Sequence, residues 1–189
     1  MPLHIPLAPA AAERSVRTAL HSTTPVTPRP PRLGEGALQP VLPLPVHRLA
    51  PVTGPTEPPR ARLTGWRFLL ARDGLAVGAA ETMLTADGWA FSHFCEGPFI
   101  ASSERAVRLA DALPGPYQPR LLSVPELYML TLWLHSDPGA DPAAGDPLPE
   151  DLLMPLAPAP PGIAADRAVT TAALLPLLTS RLAPLGLAS

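Results

Sequence analysis

Lysine is absent from this 189-residue chain, so all 14 of its basic residues are arginines. Abundant arginine, alanine and proline are typical of a genome rich in G and C, so the missing lysine indicates no function by itself. It does exclude a phosphate-binding P-loop, whose lysine contacts the phosphates. The sequence also contains no GxGxxG motif and no GxSxG elbow, which excludes the commonest dinucleotide-binding and serine-hydrolase signatures.

Cysteine is scarce, since Cys95 is the only one. No internal disulfide can form, which excludes a small secreted fold stapled by disulfides. The chain also lacks an uninterrupted apolar run of about 18 residues, the length that a membrane-spanning helix needs. Its N-terminus has neither the basic region nor the apolar region of a signal peptide. We therefore expect a cytoplasmic protein without a membrane span.

Charge is unevenly spread although the net charge is only −2, since residues 137–151 carry five acidic residues and no basic one. Residues 1–60 carry six arginines against three glutamates but no aromatic residue and no run of adjacent cations. Nucleic-acid binding would call for a basic patch with aromatic side chains that stack on bases. We expect no nucleic-acid partner, and we interpret the acidic stretch 137–151 as a solvated loop.

Aromatic residues and prolines occupy different parts of the chain. Every aromatic residue lies between Trp66 and Trp133, whereas 14 of the 29 prolines precede Ala61 and none occurs in 61–97. Aromatics supply core area, and proline is excluded from central strands and helix interiors. This predicts a compact domain at 61–160, a proline-rich extended arm at 1–60 with a short helix at 9–20, and an apolar, possibly helical tail at 161–189.

Two Asp-Gly pairs, Asp73-Gly74 and Asp87-Gly88, lie between apolar runs. Asp-Gly favours the positive-φ turns that join antiparallel strands. The pattern predicts a three-stranded meander at 64–72, 75–85 and 89–95.

Further elements follow from periodicity and from the positions of proline. We predict a helix at 103–113 capped by Ser102 or Ser103, a strand at 118–124, and a helix at 164–175 that ends before Pro176. The apolar run 125–135 favours a buried helix, although its alternation also fits a strand. Residues 136–150 are predicted to be a mobile loop, and residues 152–156 an edge strand because Pro155 cannot donate to a ladder.

The predicted fold class is therefore α+β. It consists of a small antiparallel sheet, with the meander plus one or two further strands, and one or two packed helices. Pro/Ala-rich extended arms flank this domain.

The residues with most potential for chemistry are His93, Cys95, Glu96 and His135. His93 and Cys95 are two apart on a predicted strand, so we expect them to share a face with Trp89 and Phe91. On such a core face a cysteine packs as a small hydrophobe.

A metal site would need a recognisable ligand spacing. The pairs His93-x-Cys95 and His135-x-Asp137 do not have the spacing of a structural zinc site, so we predict no metal and no cofactor. Glu81 is expected to form a cross-strand ion pair with Arg67 or Arg72. Without a second convergent titratable group, no catalytic residue is assigned.

The preferred function is a non-enzymatic interaction or assembly component whose arms dock on partner subunits, either other proteins or further copies of the chain. The candidate docking peptide is Pro28, Arg29, Pro30, Pro31 and Arg32, which resembles a polyproline ligand. The alternative is a small-molecule-binding or catalytic domain with a pocket near His93, Cys95, Glu96 and His135.

Overall fold

The computed structural model describes residues 3–22, 29–34, 36–51 and 60–182, with the side chain of Arg32 left out. These residues form three α-helices, eight β-strands and short 3₁₀ turns at Pro31–Leu33 and Pro125–Leu127. The helices are α1 (Ala10–His21), α2 (Pro98–Asp111) and α3 (Thr171–Leu182). The strands are β1 (Gln39–Leu49), β2 (Ala61–Arg72), β3 (Leu75–Thr85), β4 (Gly88–Cys95), β5 (Gln118–Val124), β6 (Met129–His135), β7 (Leu152–Pro155) and β8 (Val169–Thr170).

All eight strands belong to one mixed sheet, in the order β4-β3-β2-β1-β5-β6-β7-β8. Neighbouring strands are antiparallel except β1 and β5, which pair in parallel through Val46, His47 and Arg48. The parallel pair connects an antiparallel half made of β1–β4 to a second antiparallel half made of β5–β8. The predicted fold class was wrong in this respect: the sheet is larger than a meander with one or two extra strands, and it is mixed.

The predicted meander itself is present as β2, β3 and β4, with bounds close to those expected. Asp73 and Gly74 have φ angles of 50° and 79°, the conformation that a two-residue hairpin turn requires. The local turn chemistry therefore placed these three strands correctly.

The segment predicted to be an extended arm contributes a central strand, β1, which contains Pro40, Pro43 and Pro45. Their partners on β2 are the alternate residues Leu70, Phe68 and Trp66, because a bulge at Leu42 keeps all three prolines in phase. Proline fits a ladder only where its nitrogen points away from the paired strand. The other neighbour of β1 is β5, and these two strands pair only from Val46 onward. The three prolines therefore interrupt no ladder hydrogen bond on the β5 side.

Helices cover both faces of the sheet. On one face, α1 packs on Trp66, Phe68 and Leu70 through Ala12, Val16 and Leu20. On the same face, α3 packs on the β5–β7 half through Leu174, Leu175 and Leu178. Helix α2 covers the opposite face through Ala106 and Ala110, which lie against residues of β1, β5 and β6.

Residues 129–135 form a strand and not the buried helix that we favoured. Every residue of β6 is buried, because β6 lies between β5 and β7 and is covered on both faces. A strand buried on both faces shows no hydrophobic alternation, so its sequence cannot be distinguished from that of a buried helix by periodicity alone.

Three other expectations were wrong in detail. Helix α2 begins at Pro98, so Ser102 and Ser103 are buried inside it and do not cap it. Helix α3 runs through Pro176 instead of stopping before it. Strand β7 is not an edge strand, but β8 pairs only with Leu152 and Leu153. Beyond this ladder Pro155 needs no amide, and its carbonyl accepts a hydrogen bond from the Asp166 amide at 2.8 Å. No helix in the described part of the chain is long and apolar enough to cross a membrane.

Candidate functional site

A Glu–His–Cys cluster lies on the face of the sheet that α2 partly covers. Strand β3 contributes Glu81, and β4 contributes His93 and Cys95. One potential ligand atom from each residue lies within 4.8 Å of those of the other two. We call Glu81, His93 and Cys95 the β3–β4 cluster.

A β-bulge brings the β3–β4 cluster together. The β3–β4 ladder is regular from the pair Thr85 and Gly88 to the pair Thr82 and Phe91. The next residue of β3, Glu81, pairs with His93 and not with Ser92, so Ser92 is the extra residue of the bulge. The bulge reverses the alternation of side chains. His93 and Cys95 therefore lie on the face opposite Phe91, and the expectation that they share its face was wrong.

The Glu81 carboxylate is held by Arg67, its neighbour on β2. Arg67 Nε donates to Glu81 Oε1 at 2.7 Å, and Arg67 Nη2 donates to the same oxygen. The expected cross-strand ion pair is confirmed, and it occupies only one of the two carboxylate oxygens. The second, Oε2, lies 3.8 Å from His93 Nε2.

The ring of His93 is oriented from its other side. Its Nδ1 lies 3.0 Å from the hydroxyl oxygen of Ser92, the bulged residue. The side chain of His93 is 49% exposed, so solvent can reach the cluster.

Cys95 lies deeper, packed against the small core cluster of Leu69, Ala79 and Ile100. Burial, followed by the Glu81 carboxylate, raises the pKa of the Cys95 thiol to about 12. At neutral pH it is therefore a thiol and not a thiolate nucleophile.

The structure does not bring His135 to these residues. His135 is on β6, five strand positions from β4, a separation of about 24 Å at the usual spacing between strands. His93 and Cys95 lie together on β4, and Glu96 is the exposed residue that comes directly after this strand. His135 belongs to a different cluster.

That second cluster is built around the buried carboxylate of Asp151. Its Oδ2 accepts hydrogen bonds from Trp133 Nε1 at 2.7 Å and from the Leu148 amide at 3.0 Å, and it lies 2.9 Å from His135 Nδ1. Its Oδ1 accepts from the amide and hydroxyl of Ser136. Burial acts to raise the pKa of Asp151, but these donors outweigh it and lower the pKa. With this many partners, the carboxylate joins the ends of the 136–150 loop to β6.

Arg120 extends this second cluster into the loop. The buried guanidinium donates to Gln118 Oε1 at 2.8 Å, to the carbonyl of Ala144 at 2.6 Å and to that of Asp141 at 3.1 Å. It also lies 4.8 Å from the centre of the Trp133 ring. His47 bonds a third loop carbonyl, that of Pro142, through Nε2. We interpret the side chains of this cluster as structural, because their polar atoms are directed at the loop backbone and at one another.

The candidate docking peptide lies partly outside the described residues. Pro28 is not described, and nor is the side chain of Arg32. Arg29 donates to the carbonyl of Leu20 at the end of α1. Pro30 is half-buried and Pro31 is exposed.

The sequence pattern grouped His93 with Cys95 but did not join Glu81 to them. A signal was present, because a regular hairpin closed at Thr85 and Gly88 would pair Glu81 with Ser92, next to His93. The bulge that completes the alignment has no marker in the sequence.

No family model matches this chain, and neither a curated protein nor a solved structure shows significant similarity to it.

Proposed function

We propose that this protein is a non-enzymatic assembly component that binds an extended segment of another protein by strand pairing along β4. The observation that carries the proposal is the unpaired outer edge of β4. In the described part of the chain, β4 ends the sheet and pairs only with β3. An edge strand offers a row of free amide and carbonyl groups to an added strand.

The two edges of the sheet differ in a way that favours β4. The opposite edge is β8, which has two residues and continues directly into α3. Strand β4 has eight residues and contains no proline, a residue that commonly blocks edge pairing. Its bulge at Ser92 leaves Gly88–Phe91 as a regular stretch that a partner strand can extend.

Side chains beside this edge would gain from burial. Leu84 is 62% exposed, Met83 is 47% exposed, and the neighbouring Trp89 and Phe91 are only half-buried. Aromatic residues and methionine are enriched at protein interfaces. An added strand would bring its side chains beside Trp89 and Phe91 while it completes the ladder, and Met83 and Leu84 lie one strand further in, on β3.

The docking element is then the sheet edge and not the proline-rich arm. The described part of residues 1–60 is largely occupied within its own fold, since β1 is central to the sheet and α1 covers part of the core. The alternative of a pocket formed by His93, Cys95, Glu96 and His135 lacks support, because His135 lies on a distant strand.

The test is affinity capture from native cells with the full chain and two variants. Ala90→Lys places a charge in the regular part of β4, whereas Ala101→Lys makes the same change at an exposed position of α2. We expect a protein that is captured by the wild type and by Ala101→Lys but lost with Ala90→Lys. Hydrogen exchange should then show that this protein slows exchange at the amides of β4.

A captured protein that is retained equally by both variants would contradict pairing at β4. Exchange at β4 that is unchanged when that protein binds would contradict it as well. Circular dichroism of both variants provides the control that the fold is intact.

A further inference from the structure

We propose that the β3–β4 cluster binds a divalent transition metal of the Zn²⁺ class, with Glu81 Oε2, His93 Nε2 and Cys95 Sγ as ligands. This inference goes beyond the strand-pairing function and does not depend on it. It rests on the donor atoms, their separations and the groups that orient them.

The three donors are the ligand types that zinc takes in proteins, namely carboxylate oxygen, imidazole nitrogen and thiolate sulfur. Hard cations such as Ca²⁺ and Mg²⁺ prefer oxygen ligands alone, so the sulfur and nitrogen donors favour a softer ion. A coordinating cation displaces the thiol proton of Cys95 to solvent.

The separations fit a single ion. Two ligands at 2.0–2.3 Å from a tetrahedral zinc lie about 3.3–3.8 Å apart. His93 Nε2 and Glu81 Oε2 are 3.8 Å apart, which is long for a hydrogen bond and about 0.4 Å more than the separation of a nitrogen and an oxygen ligand on one tetrahedral zinc. The whole set lies within 4.8 Å, so side-chain shifts of about 1 Å would close the site.

Two neighbouring side chains orient the ligands. Arg67 takes Glu81 Oε1 and leaves Oε2 directed at His93. The hydroxyl of Ser92 hydrogen-bonds with His93 Nδ1. When Nδ1 carries the ring proton and donates it to this hydroxyl, the lone pair of Nε2 is available to a metal. Such outer partners are a regular feature of metal sites and commonly change affinity by about 10–100-fold.

The exposed side of His93 gives solvent access to the cluster, so water can supply a fourth ligand. His93 is half-exposed on the sheet face, and the strand after it leads through Gly97 into α2. Three protein ligands with a solvent-accessible fourth position resemble a zinc site that holds a water or an exchangeable group.

The test is titration of the chelator-treated 189-residue chain with Zn²⁺ alone, measured by calorimetry. We expect one Zn²⁺ per chain, with affinity at least tenfold lower in His93→Ala and in Cys95→Ser. Ser92→Ala should weaken binding by about 10–100-fold. His4→Ala, which removes another exposed histidine, should bind as the wild type does.

Co²⁺ provides a second measurement on the same proteins. We expect a thiolate-to-metal charge-transfer band in the wild type, absent from Cys95→Ser and retained by Ser92→Ala at higher Co²⁺ concentration. Circular dichroism checks the fold of each variant. If Cys95→Ser does not fold, the Zn²⁺ affinity of His93→Ala, a change at an exposed residue, tests the proposal.

Three results would overturn the proposal: the absence of saturable Zn²⁺ binding, unchanged affinity in His93→Ala, or a Co²⁺ complex without a thiolate band. In each case Arg67, Glu81 and His93 would be only a ladder of polar side chains across the sheet.

Discussion

His47 shows at the scale of one residue how the buried polar groups constrain the fold. Its ring is completely buried and lies edge-on to Trp133, with ring centres 5.2 Å apart. Nε2 lies 3.0 Å from the carbonyl of Pro142, whereas Nδ1 has no hydrogen-bond partner among the described residues. Burial, opposed in part by the Pro142 carbonyl, lowers the pKa of His47 from 6.5 to about 4. A proton on Nδ1 would be buried without an acceptor.

The lowered pKa predicts a loss of stability in mild acid. The unfolded chain takes up a proton at His47 near pH 6.5 and the folded chain only near pH 4, so the unfolded state binds more protons in between. Stability is therefore complete above pH 6.5 and falls by roughly 3 kcal/mol towards pH 4. Asp151, whose pKa is lowered, contributes at lower pH, because its effect is lost only below the unfolded value of about 3.9.

Urea unfolding of the wild type and of His47→Gln between pH 7 and pH 4 measures this effect. The variant should be less stable at pH 7 because it loses the ring packing, but its stability should depend less on pH. His21→Gln, at an exposed histidine at the end of α1, should keep the wild-type slope. Equal slopes for the wild type and His47→Gln would show that His47 does not cause the acid sensitivity.

At the scale of the element, two buried threonines in different strands provide a matched pair. Thr131 in β6 and Thr82 in β3 are 1% and 3% exposed. The hydroxyl of Thr82 accepts from the Trp66 amide at 3.2 Å, whereas that of Thr131 has no partner among the described residues. A buried hydroxyl without a partner costs about 1–3 kcal/mol.

We therefore predict opposite effects of the same substitution. Thr131→Val should raise the free energy of unfolding by about 1 kcal/mol, because it removes an unpaired hydroxyl at constant shape. Thr82→Val should lower it by about 1 kcal/mol, because the Trp66 amide loses its acceptor. Urea unfolding at pH 7 measures both. A loss of stability in Thr131→Val would indicate that its hydroxyl has a partner.

At the scale of the whole molecule, β1 joins the two halves of the sheet. It is the only described strand that pairs with both β2 and β5. Without it, β2–β4 and β5–β8 share no ladder. Since β1 lies within residues 1–60, cooperative folding depends on the segment whose composition resembles a linker.

Truncation tests this dependence. A chain without residues 1–60 should lack a cooperative unfolding transition, because the sheet divides where β1 is missing. A chain without residues 1–38 also loses α1 but keeps β1, so it should unfold cooperatively at lower stability. Circular dichroism during urea unfolding separates the two outcomes. A cooperative transition in the shorter chain would contradict the linking role of β1.

The parts of the fold that could be predicted are those with local causes. Asp73-Gly74 favours a positive-φ turn, and two adjacent residues are enough to determine the β2–β3 hairpin. The β3–β4 cluster was only half predictable, because the turn at Asp87-Gly88 brings Glu81 near His93 but the bulge at Ser92 decides on which face they meet.

The sequence by itself determined the hairpins, helix α1 and strand β5, and it limited the partner of Glu81 to Arg67 or Arg72, since each depends on neighbouring residues or on one turn. Only the tertiary structure decided that a segment with three prolines is a central strand, that β6 is not a helix, and that β1 and β5 pair in parallel. These features depend on which distant segments lie on either side of a strand. A proline or an apolar run is compatible with several such neighbours, so composition and periodicity cannot choose among them.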